Sequence, residues 1–377
     1  MEIKSWSDLN LKENLLRGIY SYGFENPSEI QKKAIKPVVD GNDVIAQAQS
    51  GSGKTGTFSI SSLQIVDSNI NDLQVLILAP THELVLQISK VIKDLSEFME
   101  NIKVKSLIGG TSVQEDMRDI KKKMPQIIVG TVGRTIDMIR RKIIFIDKLE
   151  LLVLDEADEM LSGSFKENIQ FLCKEMTDKT KISIFSATLP RSILELTDKF
   201  MNDPIKLTVK KEELTLECIE QYFIALENDN DKYSTIKNLF EFLTMTQCIV
   251  FVNGVQRVNE LYEAMKEEGF TVCCMHSNMS KNDRKHTLNE FRNGKFRLLL
   301  SSDLTARGID IQQVGTVINF DVPTNVHTYL HRIGRGGRWG RKGLAINLIT
   351  KRDIQTMKNI EYHYKITIKE FDGKTQP

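Results

Sequence analysis

Two short apolar runs in the first half of the chain each lead directly into residues that can bind phosphate or a metal ion. Residues 44–46 precede the loop 48–55, which reads AQSGSGKT, and residues 151–154 precede the tetrad Asp-Glu-Ala-Asp at 155–158. A buried strand that feeds a glycine-rich turn and then a helix forms a phosphate-binding loop. A carboxylate pair at a strand end can hold Mg²⁺ and position a water. The two motifs in this order predict an α/β fold with a nucleotide-phosphate site of the P-loop type.

The loop assigns a role to each of its central residues. Gly51 and Gly53 permit backbone geometries that point successive N–H groups inward. Lys54 is expected to reach the β- and γ-phosphates, and the Thr55 hydroxyl to bind Mg²⁺. Ala48 departs from the generic eight-residue pattern, which has glycine there. A simple Gly/Ser turn between a strand and a helix is the alternative interpretation.

The acidic tetrad supplies the other half of the predicted site. Asp155 is expected to hold the hydration shell of Mg²⁺, and Glu156 to orient and deprotonate the attacking water. A solvated acidic loop is the alternative. Farther along, residues 186–188, Ser-Ala-Thr, close another apolar run and could equally be a helix N-cap.

Short strand-like runs alternate with longer helical patterns along the whole chain, which is typical of parallel α/β sheets. The predicted strands are 44–47, 75–79, 105–108, 127–130, 151–154, 182–185, 249–252, 271–275, 296–300, 316–319 and 345–349. The charged stretch 210–216 lacks apolar periodicity and is predicted to be a linker. The sequence therefore predicts two α/β domains, 1–209 and 217–377, which agrees with a length beyond what one core usually fills.

Composition excludes several classes of protein. The apolar runs are shorter than the roughly 18–20 residues of a membrane span, and the N-terminus lacks the pattern of a secretory signal. The five cysteines have neither disulfide nor zinc spacing, which indicates a reducing compartment. With 51 Lys+Arg against 50 Asp+Glu, net charge neither requires nor excludes a nucleic-acid partner.

Residues 331–338, His-Arg-Ile-Gly-Arg-Gly-Gly-Arg, concentrate cations in the second half of the chain. Their spacings of three and four predict that a histidine and three arginines lie largely on one helical face. Such a face suits arginine fingers that reach a γ-phosphate when two domains close. A solvated basic helix is the alternative.

These motifs together resemble those of the DEAD-box RNA helicases, and within that family the translation initiation factor 4A group. The resemblance extends from Trp6 to about Tyr364 and includes the stretches 15–20, 23–31, 210–216, 306–310 and 331–338. It implies two tandem RecA-like domains that close over ATP, Mg²⁺ and single-stranded or weakly paired RNA without strong sequence preference. The expected activity is ATP hydrolysis coupled to unwinding or remodelling of RNA.

The resemblance also implies roles for single residues. For the nucleotide the implied residues are Trp6, Phe24, Gln31, Ser50, Gly51, Ser52, Gly53, Lys54, Thr55, Gly308 and Asp310, with Arg335 and Arg338 as fingers. Those expected to couple the ATP site to domain closure are Ser186, Thr188, Asp158 and His331. For RNA they are Pro80, Thr81, Gly109, Gly110, Thr131, Gly133, Arg134, Asn253, Arg257, Ser301, Ser302 and Asp303. Phe24 is expected to stack on adenine and Gln31 to hydrogen-bond its edge, which implies ATP rather than GTP.

The chain departs from the family pattern mainly on the expected RNA side. The differing positions are His82, Val132, Gly254, Ser277, Asn278 and Lys281. The role implied in the cell is unwinding of mRNA leaders in translation initiation, by a monomeric cytoplasmic core with a scaffold protein as partner. The alternative is an ATP-locked RNA clamp of the exon-junction or nucleolar type, which would be nuclear. A DNA translocase on the same core is a more distant alternative.

Overall fold

The computed structural model of the chain describes residues 3–48, 51–162, 165–208, 219–242, 247–303, 314–335 and 343–371. The chain divides into two compact units, residues 1–209 and 210–377. Ser50, the predicted linker 210–216, Gly308, Asp310 and Arg338 lie outside the described residues. Within the described ranges, no helix is both long and apolar enough to cross a membrane.

The first unit alternates strands and helices after a short 3-10 helix, Trp6–Leu9. Its strands are β1 (Val44–Gln47), β2 (Val75–Ala79), β3 (Val104–Leu107), β4 (Ile127–Thr131), β5 (Leu151–Asp155), β6 (Lys181–Ser186) and β7 (Ile205–Thr208). Its helices are α1 (Glu13–Ser21), α2 (Glu29–Val39), α3 (Lys54–Ile65), α4 (His82–Leu95), α5 (Val113–Lys122), α6 (Val132–Arg140), α7 (Ala157–Ser162), α8 (Lys166–Glu175) and α9 (Arg191–Phe200).

The second unit repeats the alternation. Its described strands are β8 (Ile219–Ala225), β9 (Cys248–Phe251), β10 (Val272–Met275), β11 (Leu298–Ser301), β12 (Thr316–Asn319), β13 (Gly343–Ile349) and β14 (Lys369–Glu370). Its described helices are α10 (Asp231–Phe242), α11 (Val255–Glu267), α12 (Lys281–Arg292), α13 (Val326–Ile333) and α14 (Ile354–Tyr364).

Each unit contains one seven-stranded parallel sheet. The strand orders are β3-β4-β2-β5-β6-β1-β7 and β10-β11-β9-β12-β13-β8-β14. Successive strand residues point to opposite faces, so Ile77 and Val153 join one core cluster while Leu76 and Leu152 join another. Helices on both faces explain why these strands are continuous apolar runs, as the sequence predicted.

The predicted parallel α/β sheets are confirmed. Strands β1, β2 and β12 have the predicted bounds, and the other predicted strands differ by one or two residues at one or both ends. The prediction missed β7, β8 and β14, which lie at or near sheet edges and are half-exposed over much of their length. A strand that is only partly buried does not need a continuous apolar run, so the pattern that identified the others was missing.

Candidate functional site

The two predicted halves of the nucleotide site lie at one edge of the first sheet. Strands β5, β6 and β1 are neighbours, with Asp155 paired to Phe185 and Gln47 paired to Ser186. Because parallel strands end on the same edge, the loops that follow them are brought together. Topology thus places the phosphate loop beside the acidic tetrad, although about a hundred residues separate them in sequence.

The phosphate loop has the backbone geometry that its glycines predicted. Gly51 and Gly53 have φ angles of 82° and 99°, in the left-handed region that favours glycine. Helix α3 then begins at Lys54, whose side chain is only 6% exposed. The Lys54 Nζ lies 3.9 Å from Glu156 Oε1 and makes no hydrogen bond within the described residues. A buried ammonium at a helix N-terminus fits a phosphate oxygen as its partner.

The acidic pair is buried at the end of β5. Asp155 is 2% exposed, and its Oδ1 accepts a hydrogen bond of 3.0 Å from the Glu156 N–H. Glu156 has a φ of 52°, so the backbone leaves the extended strand conformation at this residue. Burial, together with the neighbouring charge of Glu156, raises the pKa of Asp155. Two adjacent buried carboxylates are stabilised in their charged form by a divalent cation, so the residues fit Mg²⁺.

Residues 186–188 connect both halves of the site. The Thr188 hydroxyl donates to Asp158 Oδ2 at 2.7 Å, and the Asp158 N–H donates to Ser186 Oγ at 3.3 Å. The Ala48 N–H, at the start of the phosphate loop, donates to the Ser186 carbonyl at 3.0 Å. The N-cap interpretation of this segment is wrong, because α9 begins only at Arg191 with Pro190 at its N-cap.

The predicted adenine-reading residues pack against the phosphate loop. The Gln31 Oε1 accepts from the Ser28 N–H at 2.7 Å, which closes the N-terminal turn of α2 and fixes the amide orientation. The Gln31 amide nitrogen faces the Gly53 carbonyl at 3.4 Å, and the Ser28 hydroxyl donates to the Ser52 carbonyl at 2.8 Å. The start of α2 is therefore tied to the loop through side chains.

Trp6 contacts this region through Phe24. Its side chain is completely buried, its Nε1 donates to the Phe24 carbonyl at 3.0 Å, and the two rings stack with centroids 6.1 Å apart. Phe24 itself is half-buried. Trp6 therefore supports Phe24 from behind through this stacked contact. Its contribution to nucleotide binding stays a prediction.

Sequence reasoning missed two residues of this region, Ser28 and Gly56. A Cβ on Gly56 would lie 2.6 Å from Gln31 Nε2 and 3.2 Å from Phe24 Cε2, so a side chain there would displace the Gln31 amide from this position. The Ser-x-x-Gln spacing of Ser28 and Gln31 is a capping-box signal that could have identified Ser28. Nothing local distinguishes Gly56, because the atoms that approach it come from a different helix and loop.

The first-unit loops that were expected to contact RNA occupy the other half of the same sheet edge. They follow β2, β4 and β3, which are neighbours. Thr81 caps α4 by accepting from the Leu84 N–H at 3.3 Å, and Gly110 has a φ of 74°. A Cβ on Gly109 would lie 3.4 Å from His82 Nε2. His82, which differs from the family pattern, therefore faces the loop that contains Gly109 and Gly110. Pro80, Thr81, Gly109 and Gly110 thus lie on one edge of the sheet, and their contact with RNA stays a prediction.

Arg134 is buried rather than presented to a ligand. Its guanidinium pairs with the Asp116 carboxylate and donates to the Thr111 carbonyl at 2.8 Å and to Thr111 Oγ1 at 3.0 Å. Through these contacts Arg134 holds the loop after Gly110 in place, and its contact with RNA stays a prediction. Thr131 and Gly133 begin α6 beside it, with Gly133 exposed. Val132 is buried in the core, which explains why an apolar residue is accepted there.

Arg257 in the second unit is likewise engaged by carboxylates. Its Nε donates to Asp321 Oδ2 at 2.9 Å, and its Nη2 lies 2.6 Å from Asp229 Oδ2. Asn253 follows β9 and donates its backbone N–H to Asp321 Oδ2 at 2.9 Å. Both carboxylates hold the Arg257 guanidinium beside Asn253, and its contact with RNA stays a prediction.

Arg332 connects several of the predicted RNA residues. It is 2% exposed, pairs with both carboxylate oxygens of Asp303, and donates to Asn253 Oδ1 at 2.6 Å and the Asp321 carbonyl at 2.6 Å. Ser301 and Ser302, just before Asp303, are buried at the end of β11.

The prediction that the cations of residues 331–338 share one helical face is wrong for the described part. Helix α13 ends at Ile333, with Gly334 as its C-cap. Arg332 points into the unit, where Asp303 attracts it, while Arg335 lies beyond the helix and donates from Nε to the His331 carbonyl at 3.1 Å.

Comparison with known proteins agrees with these motifs. The DEAD/DEAH box helicase family model matches residues 28–196, and the helicase conserved C-terminal domain model matches residues 231–340. Proteins named ATP-dependent RNA helicase eIF4A from Chaetomium globosum and Pyricularia oryzae are each 50% identical over 368 residues, covering 98% of this chain and 92% of theirs.

Solved structures show the same architecture. Saccharomyces cerevisiae Dbp5 bound to RNA and ADP BeF3 has a TM-score of 0.91 at 31% identity, covering 98% of this chain and 96% of that chain. A DEAD box protein from Methanococcus jannaschii has a TM-score of 0.59 at 33% identity, covering 99% and 100%. The predicted RecA-like fold and the resemblance to eIF4A are confirmed. This chain belongs to the DEAD/DEAH box helicase family.

Proposed function

We propose that this chain is an ATP-dependent RNA helicase of the eIF4A type, which hydrolyses ATP to unwind or remodel RNA. The observation that carries this conclusion is the junction of β1, β5 and β6, where Lys54, Asp155 and Glu156 are buried side by side. The 50% identity to the eIF4A relatives over nearly the whole chain supports the same activity.

In this mechanism the chain's own groups bind and orient the nucleotide. The N–H groups of residues 50–54 and the Lys54 ammonium would hold the phosphates, while Phe24 and Gln31 would bind adenine. Thr55 and Asp155 would hold Mg²⁺, largely through water, and the ion would neutralise phosphate charge in the transition state. Glu156 would orient the attacking water and accept its proton. Gly308, Asp310, Arg335 and Arg338 are proposed to contribute from the second unit.

RNA is proposed to bind through the loops after β2, β3 and β4 in the first unit and those after β9 and β11 in the second. Glycines and small polar groups of this kind contact sugar and phosphate, which gives little sequence readout. We propose that Ser186, Thr188 and Asp158 transmit changes at the phosphate loop. Their hydrogen bonds, which join the loop to the acidic tetrad, support this role. We propose His331 as a further coupling residue and residues 210–216 as the linker.

The proposed role in the cell is unwinding of mRNA leaders during translation initiation, by a monomeric cytoplasmic core with an initiation scaffold protein as partner. The name of the eIF4A relatives supports the initiation role. Pull-down from cell extract tests it: initiation factors are expected, and recovery of splicing components would instead indicate the clamp.

The enzymatic proposal is tested by measuring nucleotide affinity, ATP turnover and duplex unwinding separately. Single-stranded RNA should stimulate turnover and single-stranded DNA should not. Lys54→Ala should abolish turnover, because the phosphates lose their cation. Glu156→Gln should keep ATP binding but lower turnover by about 10²–10⁴, since an amide can orient a water without accepting its proton. Wild-type turnover by Glu156→Gln would show that the base is another group.

A further inference from the structure

The Phe24 ring, which is proposed to stack on adenine, has a second aromatic neighbour besides Trp6. The Tyr22 ring lies 4.8 Å from the Phe24 ring, centroid to centroid, and the two ring planes meet at 69°. Edge-to-face pairs at this distance are attractive, because the positive edge of one ring meets the negative face of the other. Neither the sequence motifs nor the proposed function gives Tyr22 a role.

The end of helix α1 brings these two rings together. Tyr22 is the C-cap of α1, and Gly23, which follows it, has a φ of 93°. The Gly23 N–H donates to the Tyr20 carbonyl at 3.0 Å. The Phe24 N–H donates to the Ile19 carbonyl at 3.2 Å. These two bonds form a Schellman motif, which reverses the chain around its left-handed residue, so the side chains on either side of the glycine meet.

Helix α1 is itself packed tightly against the rest of the first unit. A Cβ on Gly18 would lie 2.0 Å from the Leu95 carbonyl oxygen at the end of α4, so the two helices are in close backbone contact there. The Gly18 carbonyl also accepts from the Tyr22 N–H at 2.9 Å. The contact between the helices thus fixes the point from which the Tyr22 ring reaches Phe24.

Hydrogen bonding and core packing do not explain a tyrosine at this position. The Tyr22 side chain is 38% exposed, and its hydroxyl makes no hydrogen bond within the described residues. Phe24, by contrast, packs against the core cluster that contains Trp6 and is half-buried. The ring contact with Phe24 is therefore the interaction that remains to account for Tyr22.

The Phe24 ring is held by three neighbours. Trp6 stacks on it with planes 20° apart, Tyr22 meets it at 69°, and its Cε2 atom would lie 3.2 Å from a Cβ on Gly56. A half-buried ring without such neighbours exchanges between rotamers, and a ligand that orders it loses affinity. A ring that is already held in one orientation binds a base without that loss.

We infer that Tyr22 is a positioning residue for adenine, because it holds the Phe24 ring in the orientation that stacks on the base. This inference rests on the proposed ATP-dependent function and adds a residue to its nucleotide site. Tyr22 acts through Phe24 and does not touch the nucleotide. Its ring is what matters, so phenylalanine should replace it, and its effect should be confined to ligands that carry a base.

The test compares three single variants of the full-length protein. Tyr22→Ala removes the ring, and Tyr22→Phe keeps the ring without the hydroxyl. Tyr20→Ala is the control, because Tyr20 is on the same helix, is 48% exposed and makes no ring contact within the described residues. Calorimetric titration with Mg²⁺ present measures affinity for ATP and for inorganic tripolyphosphate, which has phosphates but no base. Thermal unfolding checks that every variant is folded.

Tyr22→Ala should weaken ATP binding by about three- to tenfold, the range expected for loss of one aromatic pair. Tyr22→Phe and Tyr20→Ala should bind ATP as the native protein does. Tripolyphosphate should bind all of these proteins equally, because it does not contact Phe24. In ATP turnover the loss should appear in KM with kcat unchanged, since stacking on the base is the same before and during the reaction.

A double-mutant cycle with Phe24→Ala tests whether Tyr22 acts through that ring. Phe24→Ala alone should weaken ATP binding, and adding Tyr22→Ala to it should cause little further loss. Additive losses would overturn the inference, because Tyr22 would then act without Phe24.

Native ATP affinity of Tyr22→Ala, or an equal loss of affinity for tripolyphosphate, would also overturn the inference while the proposed function stands. Failure of the proposed function would look different, because the native protein would then not turn over ATP and Phe24→Ala would not change its affinity for ATP.

Discussion

Gly56 and Gln31 illustrate how single residues shape the nucleotide site. Gly56 is in the first turn of α3, and its missing side chain allows the Gln31 amide and the Phe24 ring to approach the phosphate loop. Gln31 is buried and oriented by the Ser28 N–H. The position of the Gln31 amide, which is proposed to bind adenine, therefore depends on Gly56 of α3 having no side chain.

Gly56→Ala should weaken ATP binding, because the new Cβ would displace the Gln31 amide. Loss of one or two hydrogen bonds to the base corresponds to about 1–2 kcal/mol, roughly tenfold in Kd. Calorimetric titration with ATP and GTP would measure this. Gln31→Ala should cause a similar loss, and the double variant should be little worse than either single one. Gly133→Ala is the control, since its Cβ would have no neighbour within 4 Å. Additive losses in the double variant would contradict this account.

At the scale of elements, buried ion pairs join the strand ends of the second unit to its helices. Asp321 follows β12 and interacts with Lys232 of α10 at 3.3 Å and with Arg257 of α11 at 2.9 Å, while its carbonyl accepts from Arg332 of α13. Lys232 is 2% exposed, so its charge depends on these carboxylates. The side chain and backbone carbonyl of Asp321 thus position helices α10, α11 and α13.

Asp321→Asn should destabilise the second unit, because two cations lose a shared carboxylate in a buried setting. Removing the sole partner of a buried charge costs about 3–5 kcal/mol; since Asp229 still pairs with Lys232 and Arg257, we expect about 2–3 kcal/mol. Urea unfolding of the full-length protein would measure it. Glu268→Gln, which breaks a half-exposed pair with Lys237 in the same unit, should cost less than about 1 kcal/mol. Equal effects of the two substitutions would show that the Asp321 cluster is not a stabilising element.

At the scale of the whole molecule, the first unit contains the phosphate loop, the acidic tetrad and the proposed adenine-binding residues Phe24 and Gln31. Its sheet is covered by helices on both faces and has two core clusters of its own. We therefore expect it to fold and bind nucleotide independently. Arg335 and Arg338 belong to the second unit.

A fragment of residues 1–209 should bind ATP yet show almost no RNA-stimulated turnover. An arginine finger contributes about 10³–10⁵ in rate in related phosphoryl-transfer enzymes. Circular dichroism would establish that the fragment is folded, and Arg335→Ala in the full-length protein should show a loss in the same direction. Robust RNA-stimulated hydrolysis by the fragment would contradict the participation of the second unit.

The sequence alone determined the fully buried strands, the phosphate loop and the acidic tetrad. Each is contiguous, and its physical requirements are local: buried strands need apolar runs, left-handed turns need glycine, and a helix start needs its capping residue. For this reason Gly51, Gly53, Lys54, Asp155 and Glu156 could be assigned from their neighbours in the chain.

Only the tertiary structure decided which cations are available to a ligand. Arg134, Arg332 and Arg257 are bonded to carboxylates 18, 29 and 64 residues away, whereas Arg118, Lys121 and Lys122 have no such partner within the described residues. A charge removed from water must be neutralised by whatever group shares its buried space, and that neighbour is set by strand order rather than by sequence spacing. The same residue type therefore stabilises the fold in one place and remains exposed to solvent in another.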